Sequence, residues 1–333
     1  MKEALRRWAE EQIARFPAAS AAGHAHWQPL PVEASQRRFY RLGLGADDAA
    51  PERSFVVMSS PPALENNPQF VALAALFAAH GIGVPRLHAL DETHGYFLMS
   101  DLGETHFADA YRDPGPDAVL PAALDTLIRL QQIRDDRIPP YTRARFEDEL
   151  GLYQQWFLGG LLDTPAPATL APAFARLVAA TQAQPNCCVH RDFHSRNLLI
   201  GSDGAVGVVD FQDALMGPAT YDLASLLRDC YHRFAEADVA RWRDRYMLST
   251  PLPLNRETFA SDLDMTALQR QLKAVGIFAR LHLRDGRDSH LEHIVPVLER
   301  VAELAAGYPE LAALAEHVRG VLPATRARLG APA

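Results

Sequence analysis

Lysine is almost missing from this sequence: Lys2 and Lys273 are the only two among 33 basic residues. A mechanism that needs a lysine between residues 3 and 272 is therefore excluded. Cationic work falls to arginine, whose planar, permanently charged guanidinium suits carboxylate and phosphate oxygens. Cysteine is scarce as well. The three present, Cys187, Cys188 and Cys230, are an odd number without metal-ligand spacing, which excludes a disulfide framework and reads as small buried side chains in a reducing compartment. No run of 18 uncharged apolar residues occurs, so no segment reads as a membrane span, and the chain is expected to be soluble and cytoplasmic. Positive charge is in deficit too. With a formal net charge of -8, a sequence-independent grip on nucleic acid or an anionic membrane is not expected, and any anion site has to be local.

What is present is apolar material, 48% of 333 residues, enough for one large domain or two packed lobes. After an amphipathic first helix, residues 26–34, 37–44 and 53–60 read as three short strands of an antiparallel meander. Phe70, Leu73, Leu76 and Phe77 recur at helical spacing within 65–80, and Gly81 stands where a helix-ending glycine belongs. Residues 87–91 and 96–99 form a further hairpin, left through the polar connector Ser100-Asp101-Leu102-Gly103, where the boundary between lobes 1–102 and 103–333 is expected. Beyond it the pattern is mostly helical, over 118–133, 146–162, 172–184, 221–234, 237–248, 265–283 and a terminal run from Leu291. No repeat of fixed period appears. A small α+β lobe followed by a large helical one is the expected architecture.

The one β-like interruption carries the chemistry. HRDFHSRNLL (190–199) runs into LLIGSDGAVGVVD (198–210), where Ser202-Asp203-Gly204 between aliphatic runs signals a hairpin. An antiparallel hairpin returns the chain to its start, so Asn197 and Asp210 should stand together, with Asp192 on the loop that feeds the same place. Two carboxylates and an amide oxygen are hard ligands of the kind Mg2+ takes alongside phosphate and water. His190-Arg191-Asp192, four residues, then Asn197 reproduces the protein-kinase catalytic-loop spacing, and Asp210-Phe211 falls where the metal-binding Asp-Phe-Gly is expected, with Gln212 for Gly. The passage from Asp210 to Asp222 is too short for a regulated activation loop, which implies a small-molecule acceptor and leaves Arg191 a local structural part.

HRDFHSRNLL, VVDFQDA (208–214) and GPATYDLASLL (217–227) together resemble the aminoglycoside phosphotransferase and choline kinase superfamily. Within it, the chain resembles the branch of anomeric sugar kinases acting on N-acetylmuramate and N-acetylglucosamine. Supporting segments such as ASQRRFYRL (34–42), FLMSDLG (97–103) and LKAVGIFARLHLRDG (272–286) spread the likeness over nearly the whole chain. The resemblance implies an α+β, protein-kinase-like bilobal fold with a small antiparallel-sheet N-lobe and a large, mostly helical C-lobe. It implies ATP and Mg2+, Asp192 as base or hydroxyl-orienting carboxylate, and Asn197 and Asp210 as metal ligands. His190 and Asp222 would support the catalytic loop, Asp222 through backbone N–H groups. The turn at Ser35 would cover the ATP phosphates and Ser100 to Leu102 would meet the adenine. A sugar 1-phosphate product would link the enzyme to a uridylyltransferase and to cell-wall sugar salvage. One departure stands out: the usual strand lysine is replaced by Met58-Ser59, and Arg37 is favoured over Arg38 and Arg41 as the substitute, with Glu65 either orienting it or starting a helix.

On the acceptor side, Arg270, Lys273, Arg280 and Arg284 fall in one helical stripe. They serve either the carboxylate of an anionic sugar or an exposed face paired with acids. Glu149, Tyr153 and Trp156 share another face, where Glu149 and Trp156 suit a sugar ring and equally suit core packing. His290 and His293 read as a surface pair rather than metal ligands. Choline, homoserine or an aminoglycoside as acceptor, and a nucleotide-binding module without turnover, are the alternatives.

Overall fold

The computed structural model describes residues 3–15, 25–31, 36–45, 53–201 and 204–330. The chain divides into two compact units, Met1–Thr126 with Asn197–Gln212, and Leu127–Arg196 with Asp213–Ala333. Ser35 and the Ser202-Asp203 part of the expected turn lie outside the described residues.

The first unit is built on a five-stranded antiparallel sheet ordered β1-β2-β3-β5-β4. Its strands are β1 Ala25–Pro29, β2 Arg38–Leu44, β3 Arg53–Ser59, β4 Leu87–Asp91 and β5 Tyr96–Ser100. The three expected strands and the following hairpin are all present, and β5 rather than β4 joins β3, pairing Val57 with Leu98. Two helices cover the sheet. Helix α1, Glu3–Ile13, sets Leu5, Ala9 and Ile13 on one stripe against Leu42, Phe55, Val57 and Leu98. Helix α2, Asn67–Ala79, starts where Asn66 Oδ1 accepts from Gln69 N–H at 3.2 Å. It ends before Gly81, whose φ of +71° is the left-handed conformation a helix terminus uses.

On this helix Phe70 and Phe77 meet Phe211, at 5.1 and 5.8 Å between ring centroids, and Phe70 also meets Phe97. Phe211 is thereby buried, which contributes about 1.5–3 kcal/mol and anchors the segment that carries Asp210. The expected hairpin is formed by Leu198–Ile200 and Val206–Val208, with Gly204 turning at φ +78°.

The second unit is mostly helical. Its centre is the long helix Phe259–Asp285, whose Leu268, Leu272, Val275 and Phe278 are buried in one cluster with Phe146, Leu150, Tyr153 and Phe157. Three segments depart from the sequence expectation. The single helix expected over 146–162 is an α-helix, Arg143–Leu152, that continues as a π-helix, Tyr153–Leu161. Gly276 sits where a Cβ would come within 2.4–2.6 Å of the Leu152 and Tyr153 backbone, so the long helix touches its neighbour where the helix type changes. The helix expected over 221–234 stops at Leu227, because Asp229 turns back to accept from Tyr231 N–H and Ser195 N–H. Leu215–Pro218 forms a strand paired with Asn186–Val189, a pairing that its Gly and Pro had masked. Among the described residues no helix is long and apolar enough to cross a membrane.

Candidate active site

In the first unit the hairpin does what its turn implied. Leu198 pairs with Val208, and Val209 N–H donates to the Asn197 carbonyl at 3.1 Å, so Asn197 and Asp210 flank the same open end. Asp210 adopts φ +64°, a conformation Asp tolerates better than most residues, and its Oδ1 accepts from Gln212 Nε2 at 2.7 Å. An amide oxygen and a carboxylate at adjacent positions form a hard donor pair that fits Mg2+, an ion that usually takes one or two protein ligands and completes its shell from phosphate and water.

The same unit gives the arginines near the missing strand lysine different partners. Arg37 is buried, 3.5 Å from Glu65 Oε2, with its Nε donating to Ser60 Oγ at 3.3 Å and its guanidinium over the Phe70 ring. Glu65 also accepts from Gln36 N–H at 3.1 Å, so it ties the turn to the start of α2. Arg41 is committed elsewhere: it pairs with Asp101 at 2.5 Å and with Glu104, strapping the strand to the connector. In that connector Ser100 exchanges bonds with Arg86, through its own N–H and through Oγ, while Leu102 lies against Gly207.

In the second unit the loop carrying Asp192 is held from below. Asp222, fully buried at the start of helix Tyr221–Leu227, accepts from His190 N–H at 2.6 Å and Arg191 N–H at 2.9 Å. Burial pushes its carboxyl up to about 7, against the pull of those two bonds. His190 Nδ1 accepts from Asp192 N–H at 3.3 Å, which fixes it as an unprotonated ring nitrogen. Arg191 holds φ +80°, strain of about 1–3 kcal/mol that persists because its surroundings over-determine it. Its N–H goes to Asp222, its carbonyl accepts from Arg270 Nη2 at 2.9 Å, and its guanidinium donates to Glu149 at 2.6 Å. Asp192 itself keeps 38% of its side-chain surface exposed, with Arg270 Nη2 3.5 Å away. Burial alone would raise its pKa, but Lys273, Arg270, His194 and Arg191 outweigh that and hold the carboxylate well below its usual range.

The acceptor-side residues separate. Glu149 is buried in a polar cluster where Oε1 meets both Arg191 and Lys273 Nζ, the latter at 3.4 Å, and Oε2 meets Gln269 at 3.2 Å and the Tyr141 hydroxyl. Lys273 also donates to the Tyr221 hydroxyl at 3.3 Å. Burial lowers Lys273, yet Glu149 and Tyr221 more than compensate, so the ammonium stays charged. Trp156 packs half-buried against the helical core, and Tyr153 meets His317 and Phe174. The basic stripe is likewise split. Arg270 and Lys273 turn inward to carboxylates, Arg280 is half-buried, and the exposed Arg284 pairs with Asp285. His290 and His293 are not a surface pair: His290 is buried and both rings pack on Tyr231 and Phe278. Among the described residues no three His, Cys, Asp or Glu gather as a metal site.

Sequence reasoning passed over Asp229, which braces the loop at Ser195 N–H from 3.0 Å. Its place inside the helix expected over 221–234 gave no signal.

A half-buried, ionised Asp192 on a braced loop of the second unit, and a hairpin of the first that brings Asn197 near Asp210, are parts of the kind a phosphotransferase with a hydroxyl acceptor uses. The chain belongs to the phosphotransferase enzyme family, whose model matches residues 26–254. It is 36% identical over 298 residues to the N-acetylmuramate/N-acetylglucosamine kinase of Pseudomonas aeruginosa, covering 86% of each chain. The N-acetylmuramate/N-acetylglucosamine kinase of Pseudomonas putida is 33% identical over 334 residues, covering 96% of each. A solved structure of a choline/ethanolamine kinase family protein from Mesorhizobium loti shares the fold, with a TM-score of 0.64 at 14% identity over 95% of this chain and 99% of that one. The fold is thus α+β and protein-kinase-like.

Proposed function

We propose that this protein transfers the γ-phosphoryl group of ATP to the anomeric hydroxyl of N-acetylmuramate or N-acetylglucosamine. The observation that carries the chemistry is Asp192, kept ionised by four basic groups yet open to an acceptor. The substrate class rests on the two Pseudomonas relatives named above. A carboxylate with so depressed a pKa is a weak base, so Asp192 orients the sugar hydroxyl by accepting its hydrogen bond and takes the proton at Oδ only as the P–O bond forms. Asn197 and Asp210 would hold Mg2+, which when bound neutralises charge on the transferring phosphoryl group. Arg37, braced by Glu65, supplies the cation for the nucleotide phosphates in place of lysine. Ser35 would serve those phosphates, and the connector at Ser100 and Leu102 the adenine. Residues 1–102 then form the nucleotide-binding lobe and 103–333 the catalytic and acceptor lobe. The reaction runs in the cytoplasm, and its sugar 1-phosphate is a substrate for a uridylyltransferase.

Two measurements test this reading. ADP release is followed with N-acetylmuramate, N-acetylglucosamine, choline, homoserine and an aminoglycoside, and turnover of only the last three rejects the sugar assignment. Asp192→Ala should bind ATP normally by calorimetry and lose turnover by about a thousandfold or more. Near-normal turnover would remove Asp192 from the mechanism.

A further inference from the structure

The second unit contains an aromatic and basic wall that no step above uses. Arg196, four residues after Asp192 on the same loop, lays its guanidinium 3.7 Å over the Tyr231 ring and donates from Nη2 to His293 Nε2 at 3.0 Å. Tyr231 is the hub. The rings of His194, His290 and His293 stand against it at 5.2, 6.1 and 5.0 Å, and Phe278 of the long helix closes the cluster behind His290 at 5.1 Å. Asp229, which holds the loop at Ser195, also fixes the backbone of Tyr231. The wall is therefore rigid with respect to the loop that carries Asp192. It is half-exposed at His194, Arg196, Tyr231 and His293 and buried at His290. His194 N–H donates to the Asp192 carbonyl at 3.0 Å, so the wall starts beside that residue.

An arginine stacked on an aromatic face has the plane and orientation of its guanidinium set in advance. Such a group is suited to a planar carboxylate, with two parallel N–H bonds. Because Nη2 donates to it, His293 Nε2 is a neutral acceptor that steers the guanidinium without competing with it as a cation. Arg270, Lys273 and Arg191, the other arginine and lysine side chains near Asp192, already face Asp192 and Glu149.

We propose that Arg196, positioned by Tyr231 and His293, receives the carboxylate of an acidic acceptor sugar and sets the preference for a carboxylate-bearing over a neutral amino sugar. This rests on the sugar-kinase reading and names the group that distinguishes its two sugars, since N-acetylmuramate carries a lactyl carboxylate and N-acetylglucosamine does not.

The experiment compares kcat/KM for both sugars in the full-length wild type, Arg196→Met, His293→Leu and His293→Gln. Arg196→Met should lower the N-acetylmuramate to N-acetylglucosamine ratio by about tenfold or more, chiefly through KM for N-acetylmuramate. His293→Leu should move the ratio in the same direction by less, and His293→Gln, which restores an acceptor to the guanidinium, should recover part of it. An unchanged ratio in Arg196→Met, whether both activities fall together or neither does, overturns the assignment. Thermal midpoints within about 3 °C of wild type establish that each variant folds. If the wild type phosphorylates neither sugar, the parent reading fails, an outcome separate from a ratio that does not move.

Discussion

Replacing Glu149 by Gln tests whether this buried carboxylate holds the fold of the loop or touches the sugar. The side chain keeps its shape but leaves Arg191 and Lys273 without their shared anion, each with less than a tenth of its side-chain surface exposed. At the observed separations of 2.6 and 3.4 Å the two attractions amount to at most about 6 and about 5 kcal/mol at an effective dielectric of about 20. Part of this offsets the cost of burying the charges, so the net loss on removing one partner is about 3–5 kcal/mol. For a unit of this size that lowers the thermal midpoint by about 6–20 °C. Urea unfolding followed by tryptophan fluorescence should show the loss directly. Adding Lys273→Met to Glu149→Gln should cost less than the sum of the single changes, because it removes one of the two stranded cations. The pH dependence adds a signed check. Burial alone would raise the Glu149 pKa, but Lys273 and Arg191 bring it below 4.5. A group with a depressed folded pKa contributes stability above its unfolded value and loses it as pH falls through the folded one. Wild type should therefore lose stability below about pH 4.5, and Glu149→Gln should show a shallower acid limb. A midpoint shift under about 3 °C, with a raised sugar KM, would refute the structural role and return Glu149 to the sugar.

Asp210→Asn keeps a residue that tolerates the left-handed backbone and retains a coordinating oxygen, so it should fold normally while turnover drops about a hundredfold or more and the Mg2+ concentration for half-activity rises. Unchanged Mg2+ dependence would remove it from the metal site. Gly276→Ala adds a methyl where the Leu152 and Tyr153 backbone leaves no room, and should destabilise by about 1–3 kcal/mol in urea unfolding despite alanine's better helix propensity. Cys187 and Cys188 are fully buried and their thiols pushed up by that burial, so a thiol reagent at pH 8 should label them only after unfolding; rapid native labelling would contradict the packing.

The order and spacing of His190, Asp192, Asn197, Asp210 and Asp222 were legible because each depends on its neighbours in the chain. A Gly-centred turn returns the hairpin, and Asp222 stands at the start of the helix that follows. The scarcity of lysine was legible too, and it left the cationic work to arginine. The tertiary structure decided who neutralises whom. Glu149 meets Arg191 across 42 positions and Gln269 across 120, and Ser195 meets Asp229 across 34. Pairings at such distances leave no periodic trace. A stripe of basic residues looks the same on paper whether it faces water or a buried carboxylate. Only the packing of the long helix turned Arg270 and Lys273 inward to carboxylates. Burial then made ionisation depend on those partners, which is why the sequence determined which titratable groups share a loop or hairpin and the tertiary structure determined which charges surround them.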